Sequence, residues 1–285
     1  KQNLMTYLDV DTENNYYYSE VKGRELYFVN EGLKVPKYGQ VELVEAETSF
    51  TAYQEFQSML TRDRIDIFMV GEFDDYQVLQ ALHRFPLEGR QVDLQFSYSQ
   101  PYVNVVKEKI EPRQSSQSIL QLGYQFQCQY GDKDYFALIV FNAMFGEFAH
   151  SALFTTLREK EGLAYSISSQ FDIFTGLLEV YAGIEKSNRN QAMRGISREL
   201  NYIKLGRFSS SLLNQTKKII RMNALLSEDH ALTLVEQRFN KVIFGDKSLS
   251  LENWLDEIEK VTKKDVCRVA RQVKLQSLFF LEGVS

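Results

Sequence analysis

Between Leu120 and Cys128 apolar and polar residues alternate without a break. Leu120, Leu122, Tyr124, Phe126 and Cys128 fall on one side, Gln121, Gly123, Gln125 and Gln127 on the other. A period of two is that of a β-strand, and this alternation predicts one buried and one polar face, as expected of an antiparallel sheet. Further strands are expected at 103–110, 164–171 and 176–184, the last two joined by a turn near Thr175-Gly176. Residues 133–146, apolar nearly all round from Tyr135 to Phe145, predict a buried helix. A shorter helix over 151–161 stops at Gly162, a left-handed C-terminal cap. Beyond 185 the chain reads as mostly helical. One face carries Met193, Ile196, Leu200 and Ile203, and the next Leu212, Leu213, Thr216, Ile219, Ile220, Asn223 and Leu226. Two helices follow near 230–244 and 250–260. Thr262, with Asp265 in capping-box position, starts a final helix, and the chain closes in a strand, Ser277 to Leu281. Strands paired early and helices grouped late give an α+β chain rather than alternating βαβ units.

Before residue 88 the pattern is a tyrosine-rich helix over 12–29, a loop through Pro36 and Gly39, and a helix over 50–60. The second helix carries Phe50, Tyr53, Phe56 and Leu60 at helical spacing. A strand, Arg64 to Val70, is closed by Gly71. Interruptions at Glu88-Gly89-Arg90 and Ser97-Tyr98-Ser99-Gln100-Pro101 place a seam over 88–102. The two sides echo each other. A helix from Thr51 and a strand lead to Gly71, and a helix from Thr262 and a strand lead to Gly283, with starts 20 and 21 residues before their glycines. Tyr38-Gly39 likewise echoes Phe244-Gly245. Residues 1–97 are therefore expected to be the closing portion of a first half-domain, and 98–285 a complete second copy. On this reading the natural chain begins well upstream of Lys1 and the first half is incomplete.

Composition removes several functions. The 285 residues carry a net charge of −5, which argues against nucleic acid or an anionic membrane as partner. The longest apolar run, Tyr135 to Phe141, is too short to span a bilayer. Two cysteines, Cys128 and Cys267, make no disulfide framework, so the expected setting is reduced and cytoplasmic. His83, His150 and His230 are scattered, and no His-x-x-Glu-His stands ready for zinc. Glu147 and His150, three apart, could share a metal, but His150 is better read as a residue near a helix start facing solvent or a loop. The sequence holds no phosphate-binding glycine loop and no nucleophile elbow.

The informative stretch runs from Leu153 to Ser168, Leu-Phe-Thr-Thr-Leu-Arg-Glu-Lys-Glu-Gly-Leu-Ala-Tyr-Ser-Ile-Ser. It reads as an amphipathic helix, stopped by Gly162, that feeds a strand. Arg158 lies in the last turn, where a cation suits the helix's negative end. Tyr165 lies at the strand's start, and the intervening turn can bring both to one side, as two donors for a carbonyl or an oxyanion. On the residues alone, a solvated Arg158 paired with Glu161 and a core Tyr165 is the favoured alternative.

Residues 153–184 resemble the second-half signature of the M16 (pitrilysin, insulinase, mitochondrial processing peptidase) metallopeptidases. The resemblance rests on Leu153-Phe154, Arg158-Glu159-Lys160, Gly162-Leu163-Ala164-Tyr165 and Tyr181-Ala182-Gly183. The closing Val261-Thr262-Lys263-Lys264-Asp265-Val266 helix fits too, as does Val70-Gly71 at the end of the previous half. The resemblance implies tandem homologous α+β half-domains, each an antiparallel sheet packed with helices. It also implies a zinc site on the other half-domain type, supplied by a partner chain or by the missing segment. Carried over residue by residue, Arg158 and Tyr165 become substrate-binding groups that orient an extended peptide beside that zinc, the peptide adding to a sheet edge. No catalytic or metal-binding residue is assigned to this chain. Two departures point to a diverged member. Ser58-Met59-Leu60-Thr61-Arg62-Asp63-Arg64 replaces the usual Tyr-x-Pro-x-Asn-Met type segment. The glycine-rich loop is reduced to Gly146-Glu147-Phe148-Ala149-His150-Ser151. The implied function is a non-catalytic, substrate-gripping subunit, similar to the inactive partners in bacterial two-chain M16 peptidases and inactive by itself. The alternatives are an active homodimeric zinc peptidase whose motif lies upstream, and a structural or peptide-binding protein that kept the fold.

Overall fold

The alternating stretch forms the middle of a sheet, with both of its faces buried. A computed structural model describes residues 1–85, 89, 90, 92 and 98–284. Among these, five strands make one sheet in the order β1 (Lys107–Gln114), β5 (Lys274–Val284), β2 (Ser118–Gln125), β4 (Leu177–Ile184), β3 (Ala164–Asp172). β1 runs parallel to β5, and the other pairings are antiparallel. β1 starts later than the strand expected over 103–110, because its bounds follow the register that sets Lys107 opposite Ser277 and Gln114 opposite Val284. Its Pro112 is tolerated at a sheet edge, where a missing N–H breaks no ladder.

The first segment supplies α1 (Gln2–Glu13), α2 (Asn15–Tyr27), α3 (Glu31–Lys34), α4 (Val41–Ala46), α5 (Ser49–Arg62) and α6 (Asp75–Leu82). The helix expected over 12–29 is thus two helices, divided at Asn14, whose side chain accepts from the N–H groups of Tyr16 and Tyr17 and so caps α2. After the first two strands comes α7 (Tyr135–Asn142), which continues into a π-helical turn over Ala143–Glu147. A second π-helical turn, Phe154–Lys160, stands within the helix expected over 151–161. α8 (Arg189–Lys204), α9 (Ser210–Ser227), α10 (Ala231–Phe244), α11 (Leu251–Lys260) and α12 (Lys263–Gln272) follow. The seam expected over 88–102, and with it the boundary at 97, falls partly outside the described residues.

One face of the sheet carries Leu120, Leu122, Leu178, Val180, Leu278 and Phe280, sealed under α7, α8 and α12 by Leu138, Phe141, Ile196, Val266 and Val269. Each such side chain contributes about 1.5–3 kcal/mol through its burial. The expectation of a solvated face on β2 is corrected here, because all eight of its residues are buried. The cover is α2. Its Gly23 lies so close to the sheet that a Cβ there would stand 2.6 Å from Gln121 Cγ. Gly123 on β2 makes the reciprocal concession, since a Cβ would stand 2.9 Å from Tyr27 Cδ2 and run into Ser277 Oγ. Arg24 reaches Glu179 through two hydrogen bonds, Nη2 to Oε2 at 2.7 Å and Nε to Oε1 at 3.1 Å. Tyr16 meets Tyr181 edge to face at 4.5 Å. A helix from the first segment thus completes a three-layer arrangement around the second segment's sheet. Glutamine alternation cannot distinguish solvent from a helix that offers a glycine and an arginine.

The strand expected from Arg64 to Val70 is also corrected. The stretch carries no strand pairing, and Ile65, Ile67, Met69 and Val70 are exposed. Extended backbone becomes a strand only against a neighbour that accepts its hydrogen bonds, and among the described residues no strand pairs with this one, whose Phe68 packs instead on Phe239 of α10. Helices α3 to α6 bury none of their residues.

Candidate functional site

The site is built at the turn between the second π-helical turn and β3. Leu157, fully buried, packs against Gly195 of α8 and anchors the turn in the core. The wider π winding is closed by hydrogen bonds from Glu161 N to Thr156 O at 2.9 Å and from Leu163 N to Leu157 O at 2.8 Å. Gly162 takes φ +62°, a left-handed value that other residues adopt only with strain, and it reverses the chain into β3 as its position in the sequence predicts. π-helical insertions of this kind recur at functional sites because they re-aim side chains.

Arg158 follows Leu157 and is exposed. Its guanidinium lies 4.7 Å from the Phe154 ring centroid, a cation–π contact that leaves its N–H donors open. It makes no ion pair among the described residues, because Glu161 is held by Arg198 at 2.6 Å. Tyr165 is 57% exposed. It is the extra residue of a β-bulge: Ala164 stands opposite Ile184 and Ser166 opposite Gly183, which leaves Tyr165 with no residue across from it. Its hydroxyl donates to Glu185 Oε1 at 2.7 Å. That hydrogen bond, aided by partial desolvation, raises the phenol above its ordinary range. The alternative of a paired Arg158 and a core Tyr165 therefore fails on both residues. The two flank one turn, each held by its own neighbour rather than by the other.

β3 is an edge strand, paired on one side by β4. The other edge, β1, is guarded by Lys107, Glu108, Lys109, Glu111, Pro112 and Arg113, the charge-and-proline defence that natural edges use against added strands. β3 carries instead Ser166, Ser168 and Gln170, with a single charged residue, Asp172, at its far end.

No group of three or more His, Cys, Asp and Glu side chains able to hold a metal occurs among the described residues. Glu147 Oε2 accepts from Asn142 Nδ2 at 2.9 Å. His150 is half-buried, with Nε2 on Thr216 Oγ1 at 2.9 Å, so it faces α9 rather than solvent. This pair does not fit zinc. Both cysteines are free and buried, and burial, with the charges of Asp132 and Asp134, pushes the Cys128 thiol up to about 12, far from a nucleophile's range. No helix among the described residues is long and apolar enough to cross a membrane.

Sequence reasoning named Arg158 and Tyr165 but missed their supports. Phe154 was recoverable, since it precedes Arg158 by one turn. Glu185 and the bulge were not, because both depend on the register between β3 and β4.

The model of the family described as Peptidase M16 inactive domain matches residues 53–220, a span that contains Arg158 and Tyr165. A Bacillus subtilis protein called probable inactive metalloprotease YmfF is 35% identical over 246 residues, 86% of this chain and 58% of that protein. The chain thus spans little more than half of that relative. The crystal structure of a conserved protein from Enterococcus faecalis V583 superposes with a TM-score of 0.94 at 36% identity, covering 99% of this chain and 67% of that one. The peptidase M16 inactive domain from Pseudomonas fluorescens superposes with a TM-score of 0.75 at 15% identity, covering 100% of this chain and 69% of that one, and shares the fold.

Proposed function

The chain belongs to the M16 peptidase family, in which it matches the inactive-type domain, and from that premise we propose that it is a non-catalytic subunit that grips extended peptides beside a zinc site carried by a partner chain. The observation that carries the reading is Arg158, an exposed guanidinium whose donors no carboxylate among the described residues takes up, set across one turn from the exposed Tyr165. A buried or paired arginine would be structural. This one is held in place by an aromatic ring and left open to a ligand. Its fork can receive a peptide carbonyl oxygen, and Tyr165 supplies a second donor once its proton turns from Glu185 to the substrate. The peptide would lie along β3, the edge without the charge and proline guard, and add to the sheet by main-chain hydrogen bonds. The zinc chemistry, the partner and the reduced cytoplasmic setting, with which two free buried thiols are compatible, are parts of this proposal.

The test mixes the full-length chain with zinc-bearing M16 chains from the same cell and follows chelator-sensitive cleavage of a peptide library. Cleavage should appear only in the mixture. Arg158→Ala should lower it on the order of 10²-fold, the scale for losing a fixed oxyanion donor, and Tyr165→Phe should lower it less. Cleavage by the chain alone, or undiminished cleavage with both variants, would overturn the reading.

A further inference from the structure

A second site lies among the helices and shares no residue with Arg158, Tyr165 or β3. Helices α7, α9, α10 and α11 line a cavity of about 410 Å³ that is open to solvent on one side, within the range of small-ligand pockets. Its walls are aromatic, with Tyr130, Tyr135, Phe148 and Trp254 all contributing. Among the described residues that line it there is one carboxylate, Glu147, and no lysine, arginine or histidine. Glu147 Oε2 is taken by Asn142, whereas Oε1 has no hydrogen-bond partner among the described residues. Desolvation raises the Glu147 carboxyl above its ordinary range, and the Asn142 hydrogen bond offsets this only in part. Glu147 is exposed at the cavity's margin, so the cavity presents an accessible carboxylate that a cation would stabilise, next to aromatic walls of the kind that attract cations. Asn223, Gln237 and Asn240 add neutral amides that can orient a polar group without competing for charge.

We propose that this cavity binds a primary ammonium group on an apolar stem, the chemistry shared by a lysine side chain and the N-terminus of an apolar peptide. The ammonium would pair with Glu147 while the stem lies against the aromatic walls. The site differs in kind from the turn at Gly162, which offers donors to a peptide's oxygens. It offers an acceptor to a peptide's nitrogen, so it stands or falls independently of the gripping role.

Trp254 is the single tryptophan of the chain, so all tryptophan emission comes from a residue in the wall of this cavity. The full chain is titrated with hexylammonium and, separately, with hexanol, which has the same stem and no charge. A saturable change in emission is expected with hexylammonium, with affinity at least about tenfold weaker for hexanol, the scale of one charge-assisted contact. Glu147→Gln should show the same loss with unchanged circular dichroism. An N-acetylated lysine peptide and a lysine-free peptide with a free N-terminus are then tested for displacement of hexylammonium, and the one that displaces it identifies the source of the amine. No saturable change, equal affinity for hexanol, or displacement by neither peptide overturns the proposal. The hexanol comparison needs no variant, so a Glu147→Gln protein that failed to fold would leave the test intact.

Discussion

Helix α5 with the extended residues behind it, and α12 with β5 behind it, start from matching local chemistry. Thr48 accepts from Thr51 N at 3.1 Å and Thr51 Oγ1 accepts from Thr48 N at 3.0 Å, a capping box. Thr262 and Asp265 make the same reciprocal pair, with Asp265 Oδ2 accepting from Thr262 N at 2.9 Å. Each helix then runs into an apolar stretch that ends at a glycine. From there the two diverge. Val266, Val269 and Ala270 of α12 are buried in the core, and Phe279 to Leu281 sit inside the sheet. Phe50, Tyr53 and Phe56 of α5 stand in solvent, and Ile65 to Val70 join no strand among the described residues, Phe68 meeting only the Phe239 ring of α10. Even the glycines differ. A Cβ on Gly283 would stand 2.6 Å from Ser115 O, whereas one on Gly71 would meet nothing within 4 Å. The lesson is that capping and apolar spacing specify a helix, while burial and strand pairing must be supplied by a neighbour.

The contrast breaks most readily at the large apolar residues. Phe280→Ala should cost about 3–5 kcal/mol of global stability, the price of an aromatic cavity in a packed core. Phe56→Ala, the corresponding truncation in α5, should stay within about 0.5 kcal/mol. Urea midpoints of the two variants measure this directly, and equal losses would mean that α5 has a packed core after all.

An intermediate effect is expected where the first segment touches the second. Gly23→Ala should destabilise by about 1–3 kcal/mol, because the new methyl meets Gln121 near its root rather than at its flexible end. The same guanidine or urea transition should report it. A silent Gly23→Ala would detach α2 from the sheet and return β2 to the half-solvated strand that its alternation suggests.

The smallest effects lie at the caps. Thr262→Ala should lower global stability by about 1 kcal/mol, while Thr48→Ala should alter only amide exchange within α5. Acid sharpens the difference. The hydrogen bond from the Thr262 hydroxyl, aided by the Thr262 N–H and by Arg268, holds the Asp265 carboxyl below the ordinary aspartate range. A folded value below the unfolded one stabilises the protein above the unfolded value. That contribution is lost as pH falls from about 4 through the lower folded value. Thr51 occupies the same cap position in α5 and does not titrate. Amide exchange across this window should therefore quicken in α12 and leave α5 unchanged.

What was legible in the sequence follows from how local each signal is. The caps at Thr262 and Gly162, the turn at Gly176 with φ +68°, the amphipathic face of α8 and the first half of that of α9 depend on a few neighbouring residues and agree with the structure, whereas Asn223 and Leu226 at the end of the α9 face are exposed. Arg158 and Tyr165 were singled out because the motif around them is contiguous. The burial of Gln121 beneath Gly23, the Arg24–Glu179 pair and the unpaired stretch at 64–70 were not legible, since each depends on segments distant in sequence.

The sequence alone determined the α+β class, the family to which the chain belongs and the positions of most helices, because period, capping and a contiguous motif are properties of short windows. Only the tertiary structure decided that α2 roofs the sheet, that Tyr165 is turned outward by a bulge, and that Arg158 lies on Phe154 rather than against Glu161. Those outcomes depend on which distant group reaches a hydrogen bond or a face first, and that competition is settled by packing.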